Sequence, residues 1–149
     1  MGVILFVVVI FFLGVLAIAI FYFITLQNTL NAIQPKNRKM IPGQVWLGLI
    51  PLFGLVWHFI IVRKIADSIS AEFTSRNLQT EKDPGYTYGL VFSILGCFTP
   101  FNKFMGMLGS LIAIVALIFW IIYWIKINEF KKQIQALPPY SDNESLIFK

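Results

Sequence analysis

Charged residues are scarce in this chain, and their scarcity excludes most classes of soluble protein. Only 13% of the 149 residues are charged, whereas 58% are hydrophobic and the mean hydropathy is +0.77. Soluble domains are about one quarter charged, so these values are typical of an integral membrane protein whose partner is the lipid bilayer. The net charge of +5 does not indicate nucleic-acid binding, because the sequence offers no basic surface of globular size.

Cysteine and histidine are limited to one residue each, Cys97 and His58. A single cysteine excludes an internal disulfide, and the two residues together cannot form a four-ligand zinc site within one chain. The seven acidic residues all lie outside the long apolar runs. The sequence also lacks a phosphate-binding glycine loop, a nucleophile elbow and a His-Glu metal motif. We therefore predict neither a cofactor, a metal site nor an enzymatic activity.

Four apolar stretches predict an all-α membrane protein with transmembrane helices at Val3–Leu26, Gln44–Val62, Tyr86–Phe101 and Met105–Ile125. At about 1.5 Å per residue, roughly twenty residues cross the hydrocarbon layer, so the third stretch is short. The first stretch has no preceding positive residue and is long, which favours a retained signal-anchor helix over a cleaved signal. Residues 1–136 are expected to form one membrane-embedded helical domain, and residues 137–149 a flexible polar tail.

An amphipathic helix is predicted directly after the second stretch, on the cytoplasmic side. Its apolar residues Ile65, Ile69 and Phe73 recur every four positions and form one stripe. Opposite charges at Glu72 and Arg76, four residues apart, support a helix with a solvated face. The stripe is interpreted either as lying on the membrane surface or as docking a partner protein.

Small residues recur in the third and fourth stretches and predict a close helix pair. They are Gly89, Ser93 and Gly96 in the third stretch and Gly106, Ser110 and Ala113 in the fourth. Spaced three or four positions apart, such residues let helix backbones approach closely in lipid, where no hydrophobic effect drives association.

The distribution of Lys and Arg leaves two topologies open. If all four stretches cross, eight positive residues lie on one side and four on the other. If Gln44–Val62 is instead a re-entrant hairpin between three spans, the division is eleven to one. The positive-inside rule places the C-terminus in the cytoplasm in both cases, and only the re-entrant form puts the N-terminus outside.

Three residues of the second stretch are the candidate functional residues. Pro51 removes a backbone donor and, with Gly54, predicts a break in a helix near the middle of the stretch. His58 is the only residue within the apolar runs whose unperturbed side chain titrates near neutral pH. Polar groups in such a position mark transport or binding sites, although a histidine bonded to a neighbouring helix or to a lipid headgroup is the simpler interpretation.

The run that includes Asn37, Arg38, Met40, Pro42, Trp46, Ile50-Pro51, Trp57, Ile65 and Ser68 resembles small multi-pass bacterial membrane proteins classed as a domain of unknown function. The resemblance implies a bacterial cytoplasmic membrane and no activity. The sequence thus favours a structural or accessory subunit that acts through helix contacts, as a homo-oligomer or with a membrane-protein partner. The alternative is a small transporter or channel component that uses the Pro51/Gly54 break and His58.

Overall fold

The chain folds entirely into helices and turns in the part that the structure, a computed structural model, describes. That part is residues 2–138, without the side chains of residues 102 and 103. The α-helices are α1 (Gly2–Ala32), α2 (Phe53–Ser75), α3 (Tyr86–Gly96) and α4 (Asn102–Ala136), with 3₁₀ segments at Pro42–Leu49 and Thr99–Phe101. The predicted all-α class is confirmed. Most of the predicted flexible tail, residues 139–149, lies outside the described residues.

Two helices, Gly2–Ala32 and Phe104–Ala136, are long and apolar enough to cross a membrane by length and composition. The helices predicted from the sequence are shorter, because each is expected to end where its apolar run ends. Both continue by at least six residues beyond that point, since their C-terminal ends pack in a protein core. Four spans are therefore not found among the described residues.

The predicted third stretch is divided in the structure. Its helix, α3, ends at Gly96, and the chain continues through a turn and the 3₁₀ segment Thr99–Phe101 into α4. α4 is itself interrupted at Gly106, whose φ of 52° and ψ of −127° are not helical. Glycine tolerates this positive φ because it has no Cβ, so the first turn of α4 is set at an angle to the rest.

The predicted second span, Gln44–Val62, is not one helix, which corrects the four-helix expectation. The chain runs through the 3₁₀ segment, turns at Ile50–Leu52 and returns as the first part of α2. The indole nitrogen of Trp57 on the returning leg donates a hydrogen bond of 2.9 Å to the carbonyl of Gln44. A 3₁₀ segment rises about 2 Å per residue, so eight residues suffice for a leg of roughly 16 Å. We call residues 42–57 the hairpin.

The core lies at one end of the bundle, where α1, α2 and α4 run in the same direction and α3 runs against them. We call this end, residues 20–46, 58–90 and 120–138, the packed half. Its central side chains are almost completely buried: Leu26, Leu30, Ile33, Ile61, Ile65, Ile69, Tyr123, Ile127 and Ile134. Because helices in parallel register bring equivalent turns together, the core is a stack of aliphatic layers with aromatic edges.

The predicted amphipathic stripe belongs to this core. Ile65 and Ile69 have no exposed surface and Phe73 has 6%, and the Phe73 ring meets that of Phe130 edge to face. The stripe is therefore buried in the core of the same chain, in one cluster with residues of α1 and α4. This corrects the expectation that it faces a membrane surface or a partner, since the helix continues α2 into the bundle and does not lie beside it.

The other end of the bundle, residues 2–19, 47–57 and 91–119, is the apolar half. Residues 2–18 of α1 are all exposed, and so are most large side chains of α4 before Phe119. Packing of the chain on itself leaves this half with an outer surface made of Val, Ile, Leu and Phe. Water does not favour such a surface, whereas lipid does.

Candidate functional site

A cavity of about 690 Å³ opens in the apolar half, behind the hairpin. The hairpin forms one wall, and α1, the end of α3 and α4 form the others. Its lining is mostly apolar and includes Val15, Ile18, Ala19, Leu49, Ile50, Leu52, Leu55, Phe92, Pro100, Leu117 and Trp120. All three candidate functional residues of the sequence, Pro51, Gly54 and His58, line this same cavity. Its size is within the usual range of small-molecule sites.

Pro51 determines how the hairpin turns. A proline disfavours the helical region for the residue before it, and Ile50 is accordingly extended, with φ −71° and ψ 120°. Leu52 follows with φ 62°, and the amide of Phe53 donates to the carbonyl of Pro51 at 2.7 Å. A positive φ is costly for leucine, and strain of this kind is concentrated at functional sites. Leu52 is 77% exposed at the rim of the cavity.

Two glycines allow the legs of the hairpin to touch. A Cβ added to Gly54 would overlap the carbonyl oxygen of Gly48, and a Cβ on Gly48 would lie 2.8 Å from the ring of Phe23. The backbone of α2 therefore packs directly on the 3₁₀ segment, which in turn packs on α1. Any larger residue at either glycine has to push these elements apart.

Three polar side chains from three helices meet at the floor of the cavity. His58 Nε2 lies 2.8 Å from the hydroxyl of Tyr22, and His58 Nδ1 lies 2.8 Å from Ser93 Oγ. Ser93 Oγ donates to the carbonyl of Gly89 at 2.8 Å. Tyr22, His58 and Ser93, which we call the triad, are all buried. The prediction that His58 bonds to a neighbouring helix agrees with this geometry.

The direction of each hydrogen bond in the triad follows from the Ser93 hydroxyl. Its one hydrogen has to point to the Gly89 carbonyl, because two oxygens at 2.8 Å without a hydrogen between them repel each other. Ser93 Oγ then accepts from His58, so Nδ1 carries the imidazole hydrogen. Nε2 of the neutral ring is left as an acceptor and takes the hydrogen of Tyr22. Each donor hydrogen of the triad has one acceptor.

Aromatic rings surround the triad. The ring of Phe92 meets His58 edge to face with centroids 5.0 Å apart, and Trp120 lies 5.4 Å from Tyr22 and 6.4 Å from Phe92. Tyr123 lies behind the triad and outside the cavity lining, and its buried hydroxyl has no hydrogen-bond partner in the described part of the chain. The triad is thus enclosed by apolar ring surface on the protein side.

The predicted helix-packing residues separate into two groups. Gly89 and Ser93 lie at helix contacts, and a Cβ on Gly89 would lie 2.6 Å from Val62 and 2.9 Å from Tyr123. Ala113 is half-buried. Gly96 and Gly106 have no atom within 4 Å of an added Cβ, and Ser110 is exposed. Gly96 instead lines the cavity, and Gly106 provides the bend in α4.

A second polar cluster, centred on Glu72, closes the packed half. Its carboxylate is fully buried and accepts from Asn37 Nδ2 at 2.7 Å, from the amide of Gln34 at 3.0 Å and from Arg76 Nε at 2.8 Å. Burial alone would raise the pKa of Glu72, but these donors outweigh it and hold the pKa below its ordinary value of 4.5. The cluster fastens the loop after α1 to the end of α2.

The sequence offered signals for two residues that it did not identify as site or core members. Glu72 lies three positions after Ile69 and one before Phe73, so the helical period already places it on the buried stripe. Tyr22 is one of few polar groups in the first apolar run, and such a group needs a partner when it is buried. What the sequence lacks is the register that aligns Tyr22 with His58, 36 residues away.

Among residues 2–138 no group of three or more His, Cys, Asp or Glu residues could hold a metal ion. No family model, no curated protein and no solved structure matches this chain. The resemblance to small bacterial membrane proteins therefore stays a prediction.

Proposed function

We propose that this chain is an integral protein of the cytoplasmic membrane that binds one membrane-soluble apolar molecule in the cavity behind its hairpin. The observation that supports this most is the convergence of a strained hairpin tip and a buried polar triad on one apolar cavity. A cavity with an apolar lining and a few convergent polar groups is the usual form of a small-molecule site. The protein acts by binding, without catalysis, and nucleic acid is not a partner.

The proposal includes three membrane crossings, by α1, by α3 with the following 3₁₀ segment, and by α4, with the hairpin re-entrant between the first two. Charge supports this topology. The Lys and Arg residues whose side chains are described all lie in the packed half: Lys36, Arg38, Lys39, Arg63, Lys64, Arg76, Lys82, Lys126, Lys131 and Lys132. The positive-inside rule then assigns the packed half to the cytoplasm and the N-terminus to the outside.

The positions of the tryptophans support the same placement of the chain in the bilayer, with the packed half outside the hydrocarbon layer. Trp46 donates to Gln27 at 2.6 Å, and Trp124 donates to Thr25 at 3.0 Å, so both indoles lie beside the same two turns of α1. Trp120 lies one turn nearer to the apolar half, beside Tyr22. Indoles prefer the headgroup region, and α1 extends about 33 Å from Thr25 back to Val3, which matches the ~30 Å hydrocarbon layer.

The cavity is closed toward the packed half and does not form a pore. Beyond the triad lie Leu26, Ile61, Val62 and Tyr123, all without significant exposure. A channel would need a continuous polar path past these residues. Binding from the bilayer, through the exposed rim at Ile50 and Leu52, is therefore favoured over conduction across the chain.

Filling the cavity tests the proposal. Ala19→Phe adds a ring to the α1 wall, and Gly14→Phe adds the same ring to the same helix at a position with no atom within 4 Å. In lipid nanodiscs, a lipophilic fluorophore should bind saturably to the wild type and to the Gly14→Phe variant but not to the Ala19→Phe variant. Equal binding by all three proteins would contradict the proposal.

A second candidate function is that of an accessory subunit, as the sequence favoured. The observation behind it is that residues 2–18 of α1 are all exposed and present an apolar helix surface. In this role, α1 packs against a span of a second copy or of another membrane protein. Crosslinking from Gly2→Cys or Leu13→Cys in native membranes should then give one defined product, and absence of any product would remove this candidate.

A further inference from the structure

We infer that the cavity binds an uncharged amphiphile with a hydroxyl group at one end of an apolar body, such as a long-chain alcohol or a phenol dissolved in the bilayer. The inference depends on the proposed function, because it specifies the chemistry of the molecule that the cavity holds. Two observations carry it: the absence of charge from the described cavity lining, and the direction of the hydrogen bonds in the triad.

The lining excludes a charged ligand end. No Lys, Arg, Asp or Glu is among the described residues around the cavity. A carboxylate or phosphate placed against the triad would lose its hydration without gaining a counter-ion, which strongly disfavours its binding. The Lys and Arg residues whose side chains are described lie in the packed half, beyond the buried layer at Leu26 and Val62. The ligand end that reaches the triad is therefore neutral.

The triad offers acceptors and no donor. The hydrogen of Tyr22 points to His58 Nε2, that of His58 Nδ1 points to Ser93, and that of Ser93 points to Gly89. Lone pairs remain on Tyr22 Oη and Ser93 Oγ. A hydroxyl group can donate to one of these oxygens, whereas an ether or a ketone has no hydrogen to give and would face only acceptors. The triad thus selects a ligand that donates.

The shape of the site fixes the orientation of the ligand. The triad is at the closed floor, and the walls toward the bilayer are aliphatic side chains such as Val15, Ile18 and Leu117. About half of the surface of each of these three side chains is exposed at the outer side. The hydroxyl end therefore points toward the packed half, and the apolar body extends back into the hydrocarbon layer.

A displacement experiment with matched ligands tests this chemistry. Wild-type protein in nanodiscs is loaded with the lipophilic fluorophore, and hexadecanol, its methyl ether and hexadecanoate are added in turn. The alcohol should displace the fluorophore at about tenfold lower concentration than the ether, because the ether lacks one hydrogen bond in a site without water. Hexadecanoate at pH 8 should be the weakest. Equal displacement by alcohol and ether would overturn the inference.

The Ser93→Ala variant provides the sharper test. It removes one acceptor and leaves the His58 Nδ1 hydrogen free to donate, so the preference for the alcohol should disappear or reverse. Tyr22→Phe should keep the preference, because it frees Nε2 as a new acceptor. Ser110→Ala, at an exposed position on α4, is the control and should behave as the wild type. A tenfold alcohol preference in Ser93→Ala would contradict the assigned hydrogen-bond directions.

The outcomes separate the two proposals. If alcohol and ether displace the fluorophore equally, and Ala19→Phe abolishes fluorophore binding, the cavity is a binding site but its ligand is not selected by a hydroxyl group. If Ala19→Phe leaves fluorophore binding unchanged, the proposed function itself fails, and the inference fails with it.

Discussion

The packed half and the apolar half have similar side chains but use them in opposite ways. In the packed half, residues such as Ile65 and Ile69 are fully buried, and a carboxylate is buried beside them with three donors. In the apolar half, Ile4, Phe11 and Leu108 are more than half exposed, and the buried triad at the boundary between the halves is made of uncharged side chains. The difference agrees with the proposed membrane location, in which water surrounds the packed half and lipid surrounds the apolar half.

This comparison assigns different sources of stability to the two halves. Burial of apolar surface from water stabilises the packed half by roughly 25 cal/mol per Å². The apolar half gains little from such burial when lipid surrounds it, and close packing and satisfied hydrogen bonds have to hold it together. The contact between Gly48 and Gly54 in the hairpin and the hydrogen bonds of the neighbouring triad are the clearest examples of such close packing and satisfied hydrogen bonds.

The largest predicted effect comes from truncating the core of the packed half. Ile69→Ala removes a fully buried side chain and leaves a cavity, so the free energy of unfolding should fall by about 3–4 kcal/mol. Ile10→Ala, at an exposed position of α1, should change it by less than about 0.5 kcal/mol. Unfolding of both variants by sodium dodecyl sulfate, followed by circular dichroism in mild detergent, measures the difference. Equal losses would remove the distinction between the halves.

The next effect is expected at the hairpin. Gly54→Ala places a methyl group on the carbonyl of Gly48, and overpacking of this kind should cost about 2–3 kcal/mol. Gly43→Ala adds the same methyl group at a position with no atom within 4 Å and should be nearly neutral. The same unfolding assay applies. An unaffected Gly54→Ala variant would mean that the two legs do not touch.

A third effect is the pH dependence of the stability that the cluster around Glu72 contributes, which distinguishes this charged cluster from the neutral triad. Glu72→Gln should lower the free energy of unfolding by about 2 kcal/mol at pH 7, because it weakens charge-assisted hydrogen bonds. The pKa of Glu72 is lowered in the folded protein, so this contribution is complete above the ordinary pKa of 4.5 and is lost as the pH falls below that value toward the folded pKa.

The measurement for Glu72 is unfolding of the wild type and the Glu72→Gln variant at pH 7 and at several points from pH 5 down to pH 3. The two stabilities should converge as the pH falls. A constant difference across this range would show that the carboxylate charge is not what the cluster uses.

The smallest effect on stability is expected from removing the hydroxyl groups of two buried tyrosines. Tyr22→Phe removes the donor to His58 Nε2 and should cost about 1 kcal/mol. Tyr123→Phe removes a buried hydroxyl that has no partner in the described chain, so its stability should be unchanged or slightly raised. Both variants keep the ring contacts. A larger loss in Tyr123→Phe than in Tyr22→Phe would contradict the hydrogen bonds assigned to the triad.

The helical class and the break at Pro51 could be predicted from the sequence, since they depend on local composition and on the missing backbone donor of proline. The sequence left open whether Gln44–Val62 crosses the membrane as a helix or forms a re-entrant hairpin, and it could not decide between the two. Whether a chain kinks or reverses at Pro51 depends on Gly48 meeting Gly54, a contact that has no local signature.

The candidate site was only partly predictable for the same reason. His58 was singled out because a titratable side chain within an apolar run needs a partner. Its partners lie 36 and 35 positions away, on α1 and α3, and only the packing of three helices brings them together. Likewise, the stripe at Ile65 was correctly identified as apolar, but periodicity does not tell whether a stripe faces lipid, a partner or the chain itself.

Cysteine accessibility tests the central claim, the re-entrant hairpin, most directly. In a Cys97→Ser background, Lys39→Cys and Lys82→Cys place exposed thiols before the hairpin and after α2, and Gly2→Cys marks the start of α1. We predict that an impermeant maleimide labels Gly2→Cys in intact cells and labels the other two only after permeabilisation. Labelling of Lys39→Cys from outside, with Lys82→Cys protected, would show that Gln44–Val62 crosses the membrane and would contradict the account.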